Sequence, residues 1–402
     1  MNNVREYRLP LRNHHASITC PATRPRQRRR RLQEMDAHVP NHHAGQDRHP
    51  VAPIVFYGEH TASLSLYLDG LAPDLASRIT ILSPSNLATD FTQLSAAGLA
   101  VYVRGFEHVV RSGLDDALAR VGVPRAWFTD DDLTALRGEQ PGFQFYTMKR
   151  VGRFAGRMLA LVGTTAALCE RLRSFHATVL YWPCVLDETR VPEGAANRSP
   201  SPRIGVVGGD FRRSGLRELV IPALEGVPDA ELILAQPIGA GIPGAKMLTF
   251  EPDFRRFIEA WRAAGPNILA HPPGRTRNAE MKSAGTLLAS LYLGAVPIVA
   301  DEPAFAGLDR PDGVIRVAAD VAHWREAVLQ LAAPETRAQY FARLAAYCRA
   351  AFPPNGPRPA IDFLLAAAEA RRQSSPATAW RPRLSYRAAA FTRTMLSSFQ
   401  SR

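Results

Sequence analysis

Short apolar runs alternate with segments of helical period from residue 53 onward. The runs 54–57 (IVFY), 79–82 (ITIL), 100–103 (AVYV) and 125–128 (RAWF) read as strands. Between the last two, Val110, Leu114, Ala117, Leu118 and Val121 mark one face of a helix. The pattern then predicts a helix near 149–161, a short strand, a helix over 166–173 and a strand at 178–182. Residues 187–202 (DETRVPEGAANRSPSP) are polar and rich in Pro and Ser, which marks a linker.

A second series follows. Strands are expected at 204–207, 231–235, 247–250, 267–270 and 314–317. Leu216, Leu219, Val220, Ala223 and Leu224 share one helix face; Phe254, Phe257, Ile258 and Trp261 share another, and Trp261 and Trp324 read as core. Helices over 321–331, 335–351 and 361–370 close the series. Strands alternating with helices indicate an α/β chain with two Rossmann-like parallel-sheet domains facing a cleft. The expected domains are 51–186 and 203–352, joined by the linker 187–202, with a disordered basic tail at 1–50 and a helix plus basic tail at 353–402.

Residues 278–302 (NAEMKSAGTLLASLYLGAVPIVADE) carry the strongest local pattern. Ala284, Leu287, Leu288 and Leu291 give one apolar helix face, Gly294 is a stop that tolerates positive φ, and 297–300 is a buried strand. The helix N-terminus is expected at Lys282 and Ser283, where backbone N–H groups and the helix dipole favour an anion. A phosphate-bearing ligand is the implied class.

At 402 residues the chain has room for two domains. Its net charge of +12 suggests a nucleic-acid partner until it is located. Residues 1–50 carry +6 and residues 371–402 carry +7, leaving −1 for everything between, so no nucleic-acid partner is expected. The run 28–31 is four arginines, and His42, His43 and His49 lie nearby; both read as a solvated tail, and Met35 is an alternative start. Only three lysines stand beside 46 arginines, a composition read as coding bias. Cys20, Cys169, Cys184 and Cys348 form no CxxC pair, so neither a zinc site nor a redox motif is expected. With no apolar span and no leader pattern, the expected location is cytoplasmic, with peripheral contact at the inner membrane face through a basic helix at 384–399.

Several pieces in order resemble the GT-B glycosyltransferases, specifically bacterial family-4-like (group 1) enzymes, over about residues 53–352. They are VYVR at 101–104, WFTDDDL at 127–133, VGTT at 162–165 with Leu168, IGVVGGD at 204–210 with Leu216 and 222–224, and Lys282-Ser283 through GAVPIVA at 294–300. The resemblance implies transfer of a sugar from a nucleotide-sugar donor to an acceptor hydroxyl of a saccharide or glycolipid. It implies retaining chemistry with no metal and no cofactor, in surface polysaccharide or glycoconjugate synthesis. Two positions depart from the family pattern: Ala289 stands where a ribose-binding Glu is usual, and Thr286 where a basic residue is common. A non-catalytic nucleotide-binding or interaction protein of this fold, or a nucleotide-sugar epimerase, is therefore kept as an alternative.

The candidate donor and phosphate residues are Lys282, Ser283, Gly208, Gly209, Arg212, Arg213, His271 and Asn278. Lys offers a point charge, Arg a bidentate fork, and a Gly pair after a strand allows close backbone approach. Ordinary helix capping, a tight turn and exposed arginines are the plain alternatives. Candidate catalytic residues are His60 in the first loop, Asp131 and Asp132 in the acidic turn that Asp130 opens, and Glu280; Arg104 is the acceptor-side candidate. The Asp run is not read as a metal motif, because the surrounding pattern is that of the GT-B enzymes.

Overall fold

The structure, a computed structural model, describes residues 53–193, 199–236, 238–239, 241–274 and 276–374. The arginine run 28–31, Met35, Cys20, the histidines at 42, 43 and 49 and the basic helix expected at 384–399 lie outside the described residues.

Two six-stranded sheets form, each parallel throughout. The first holds β1 (Ile54–Tyr57), β2 (Ile79–Leu82), β3 (Leu99–Val103), β4 (Arg125–Thr129), β5 (Ala160–Gly163) and β6 (Val179–Tyr181) in the order β2-β1-β3-β4-β5-β6. The second holds β7 (Arg203–Val206), β8 (Glu231–Ala235), β9 (Lys246–Leu248), β10 (Ile268–His271), β11 (Val296–Ala300) and β12 (Ile315–Val317) in the order β12-β11-β10-β7-β8-β9. β1, β3, β5 and β11 are buried along their whole length. That is why their sequences read as continuous apolar runs and do not alternate. Strand order reverses between β1 and β3 in one sheet and between β7 and β10 in the other. A reversal splays the following loops apart, which opens a crevice at the carboxyl ends of the strands.

One apolar core runs through both halves, joining Tyr67, Trp182 and Cys184 of the first to Leu287, Tyr292 and Leu344 of the second. A second core fills the other face of the first sheet, where Phe106 stacks on Phe154 with ring centroids 3.8 Å apart. The helix Arg358–Ser374 returns to the N-terminal half and packs on β1 and β3. Gly98 permits the approach: a Cβ there would lie 2.8 Å from Ala368 Cβ.

Three local expectations are corrected. The helix expected over 149–161 is Met148–Ala155, closed by Gly156, because residues 160–163 pair with β4 as β5. The segment 216–224 contains a π-helical turn, Leu216–Val220, next to Pro222, which lacks the N–H needed for a regular ladder. The donor-side helix begins at Gly285, not at Lys282, and runs to Leu293. It is buried on nearly all sides, between β11 and the helices Phe254–Ala264 and Pro334–Ala351, so it is not amphipathic. Gly294 does cap it, with φ 69°.

Candidate functional site

Four loops from strand ends meet at the crevice. After β3 the backbone turns sharply at Arg104, one of two non-glycine residues with positive φ among the described residues (55°). A non-glycine side chain is costly in that conformation, so it must be held. Arg104 N–H donates to Phe128 O at 2.7 Å and Trp127 Nε1–H donates to Arg104 O at 2.8 Å. The turn aims the guanidinium at the acidic loop after β4, where Nε is 3.0 Å from Asp130 Oδ1 and Nη2 meets Asp131 Oδ2.

Asp131 is buried, 1% exposed, and accepts from both halves of the molecule. Besides Arg104 it receives Lys282 Nζ on Oδ1, and Asn278 Nδ2 donates to the same oxygen at 2.7 Å. Burial alone pushes a carboxyl pKa up; Lys282, then Arg104, outweigh it and hold Asp131 well below the usual carboxylate range. Asn278 spends its other end on the same turn, accepting from Asp132 N–H at 2.8 Å. With both ends of its amide engaged, buried Asn278 ties the acidic turn to the loop after β10.

The Asp132 carboxylate does a local job. It caps the helix Leu133–Glu139 by accepting from Thr134 N–H at 2.9 Å and pairs with Arg171 Nε at 2.9 Å. At the far end of that helix Glu139 accepts from the backbone N–H of Arg277 at 2.7 Å. Thr165 Oγ1 donates to Met281 O at 2.9 Å, and Tyr67 Oη lies 2.8 Å from Ser283 Oγ. The loop 276–284 is therefore stitched to the N-terminal half although it belongs to the C-terminal chain segment.

On the donor side, Gly208 has φ 135°, a region open to glycine alone, and Gly209 follows at the mouth of β7. Arg212 does not reach the crevice. It is 2% exposed and faces Glu302 through Nη1, 3.1 Å from each carboxylate oxygen. Arg213 pairs with Asp210 at 2.8 Å. His271 ends β10 beside them, its Nε2 3.8 Å from Glu302 Oε2. Burial, reinforced by Arg212 and Lys282, drives its pKa well below the ordinary 6.5, so the ring is neutral.

A cavity of ≈ 580 Å³ opens where these loops converge. Arg104, Asp131, Glu139, Gly209, Asp210, Phe211, Asn278 and Lys282 line it, with Leu136, Gln140 and Pro141 as the remaining wall. Of the residues expected from the sequence, Arg104, Asp131, Gly209, Asn278 and Lys282 share this cavity. The expected helix N-terminus at Lys282 and Ser283 is replaced by an extended link (Lys282 ψ 149°) after a turn at Ala279–Met281. Ser283 is engaged with Tyr67. His60 is outside the cavity lining, 3.1 Å from Asp69 Oδ1 and 3.2 Å from Ser65 Oγ. Glu280 is exposed and also outside the lining. Glu139, Phe211, Tyr67 and Glu302 were not anticipated; nothing in their local sequence distinguishes them, since their roles arise from partners far away along the chain.

Among the described residues no group of three or more His, Cys, Asp or Glu could hold a metal ion, and no helix is long and apolar enough to cross a membrane. The ligand-facing chemistry is a mixed one: two cations, three carboxylates, two amides and an aromatic wall.

No protein-family model and no curated protein matches the sequence. Solved structures do match in fold. Anabaena HepE, crystallised in complex with UDP-glucose, is 10% identical with a TM-score of 0.55, over 78% of this chain and 99% of that one. TarM is 8% identical with a TM-score of 0.51, over 73% of this chain and 58% of that one. With two parallel Rossmann-like sheets, two strand-order reversals and a shared crevice, the chain has the GT-B fold.

Proposed function

We propose that the protein is a glycosyltransferase that takes a sugar from a nucleotide-sugar donor and passes it to the hydroxyl of a saccharide or glycolipid acceptor. One observation carries the reading: Lys282 of the C-terminal half and Arg104 of the N-terminal half converge on one cavity at the two points of strand reversal.

In such a transfer the bond from the anomeric carbon to the diphosphate oxygen breaks and the acceptor oxygen takes its place. The acceptor proton leaves to a base. Negative charge grows on the departing diphosphate, and preorganised cations and N–H groups there lower the barrier. Lys282, with a flexible stem, and the backbone beside Gly209 are the seat assigned to that diphosphate, with Arg104 across the cavity. Phe211, Leu136 and Pro141 supply apolar wall for a sugar or base face. Asp131, kept ionised by two cations, has too little proton affinity to act as the base, so its assigned role is to position them. Arg212 is assigned to the scaffold and not to the phosphate. Retention of configuration, metal independence and a place in surface glycoconjugate synthesis rest on the family resemblance.

A second reading, a nucleotide-binding protein of this fold without turnover, is favoured by Ala289, which sits buried in the helix Gly285–Leu293 where the family carries a ribose-binding carboxylate. The two readings separate in one experiment. Because HepE was crystallised with UDP-glucose, uridine nucleotides are the first probes, with GDP and ADP beside them. A ligand at one hundred times its Kd stabilises the fold by about 2.7 kcal/mol. A thermal shift with one nucleotide, lost in Lys282→Ala, supports the donor seat; sugar release or transfer from that nucleotide-sugar then supports the enzyme, and binding without turnover supports the second reading. Absence of any shift overturns both.

A further inference from the structure

We propose that Asp131 is an internal anion occupying the donor-phosphate seat, so that it sets nucleoside-diphosphate affinity by competing for Lys282. The inference rests on the diphosphate site assigned above and adds what opposes binding there.

Three donors from two halves of the protein point at one buried carboxylate: Arg104, Lys282 and Asn278, the last at 2.7 Å. A carboxylate presents two oxygens much as one edge of a phosphate does, and it takes the same charge-assisted bonds. Lys282 spends its charge on Asp131 although its side chain is 26% exposed and lines the cavity. Arg104 is likewise divided between Asp130 and Asp131. An incoming diphosphate therefore meets a cavity whose positive charge is already committed, next to a fixed carboxylate that Lys282 and Arg104 hold ionised. Binding requires Lys282 to swing, at least in part, from carboxylate to phosphate. Its four-carbon stem allows that movement, whereas Asp131 is fixed by Asn278 and by the turn in which Thr129 Oγ1 donates to Asp131 O at 2.7 Å.

The consequence is opposite to the usual effect of removing a buried site residue. Neutralising Asp131 while keeping its shape frees Lys282 and removes repulsion at a few ångströms, so affinity for a diphosphate rises. With one unit charge removed at that range, about tenfold tighter binding is expected. Part of the gain passes through Lys282 and part is the repulsion removed, so the gain shrinks without vanishing when Lys282 is absent, whereas a general loosening of the fold would not depend on that residue.

The test is calorimetric titration of the full chain with UDP, GDP and ADP, in wild type, Asp131→Asn, Lys282→Ala and the double variant. The expected result is about tenfold tighter binding in Asp131→Asn, and a clearly smaller gain when Asp131→Asn is added to Lys282→Ala. Equal or weaker binding in a folded Asp131→Asn, or a gain undiminished in the Lys282→Ala background, overturns the inference while leaving the donor site standing. If neither wild type nor Asp131→Asn binds any of the three nucleotides, the donor reading fails and this inference with it. Should the amide variant not fold, Asp131→Ser carries the same test with the same outcomes.

Discussion

Arg212 and Glu302 face each other inside the C-terminal half, with Nη1 3.1 Å from both carboxylate oxygens and Nη2 3.2 Å from Oε2. The pair is buried, and its remaining bonds go to the backbone: Arg212 donates to Pro272 O, and Glu302 Oε1 accepts from Gly274 N–H at 2.7 Å. Three loops that follow β7, β10 and β11 are thus clamped at one point. The clamp explains how an arginine placed where a phosphate ligand was expected is absorbed into the scaffold.

Breaking one member of this clamp should cost more than the pair is worth. Arg212→Ala leaves the Glu302 carboxylate buried without its counter-charge, a change of about 3–5 kcal/mol. Replacing both residues by Met should recover much of that loss, because an apolar pair avoids the desolvation of two ions. Urea denaturation of the single and double variants checks this; a double variant no more stable than Arg212→Ala would contradict it.

The two histidines proposed from the sequence should respond to pH in opposite senses. His60 has its pKa raised, chiefly by the bond to Asp69, so its pairing stabilises the fold below about 6.5 and the benefit fades as pH rises through the raised value. Being half exposed, it contributes only a few tenths of a kcal/mol. His271 is held neutral by burial, so the unfolded chain gains a proton that the folded chain refuses. Its effect is lost stability as pH falls below about 6.5. NMR titration of the ring signals should show His60 titrating above that value and His271 well below it. Asp69→Asn should bring His60 back toward 6.5, leaving His271 unmoved.

Gly208 should tolerate no side chain. Its φ of 135° is a conformation other residues pay heavily to adopt, and a Cβ would stand 3.2 Å from Arg212 Cδ. Gly208→Ala is expected to cost about 1–3 kcal/mol and to weaken nucleotide binding by shifting the Arg212 clamp. A melting temperature and a UDP titration equal to wild type would refute both parts.

Much of the architecture was legible because the signals are local. The runs 54–57, 79–82 and 231–235 coincide with β1, β2 and β8, and the helix expected over 166–173 lies between a Thr165 cap and Ser174. Gly294 stops a helix because only its backbone accepts φ 69° there without strain. Residues 149–161 misled because an apolar run suits either a helix or a strand; pairing with β4 decided it. The helix starts three residues later than its pattern suggests because the cross-links that pull residues 276–284 toward the other half are made by Glu139, Thr165 and Tyr67.

The sequence by itself determined two series of parallel strands alternating with helices, the glycines at the turns and the concentration of charge in the terminal segments. Periodicity, β-branching and glycine conformation act over a few residues, so they can be read without knowing what the chain packs against. Only the tertiary structure decided which candidates meet. Lys282 and Asp131 are 151 positions apart and share an ion pair, and Arg212 turned from the cavity to Glu302, 90 positions away. Those choices depend on where charge can be buried with a partner, and that is a property of the assembled crevice, not of any one segment.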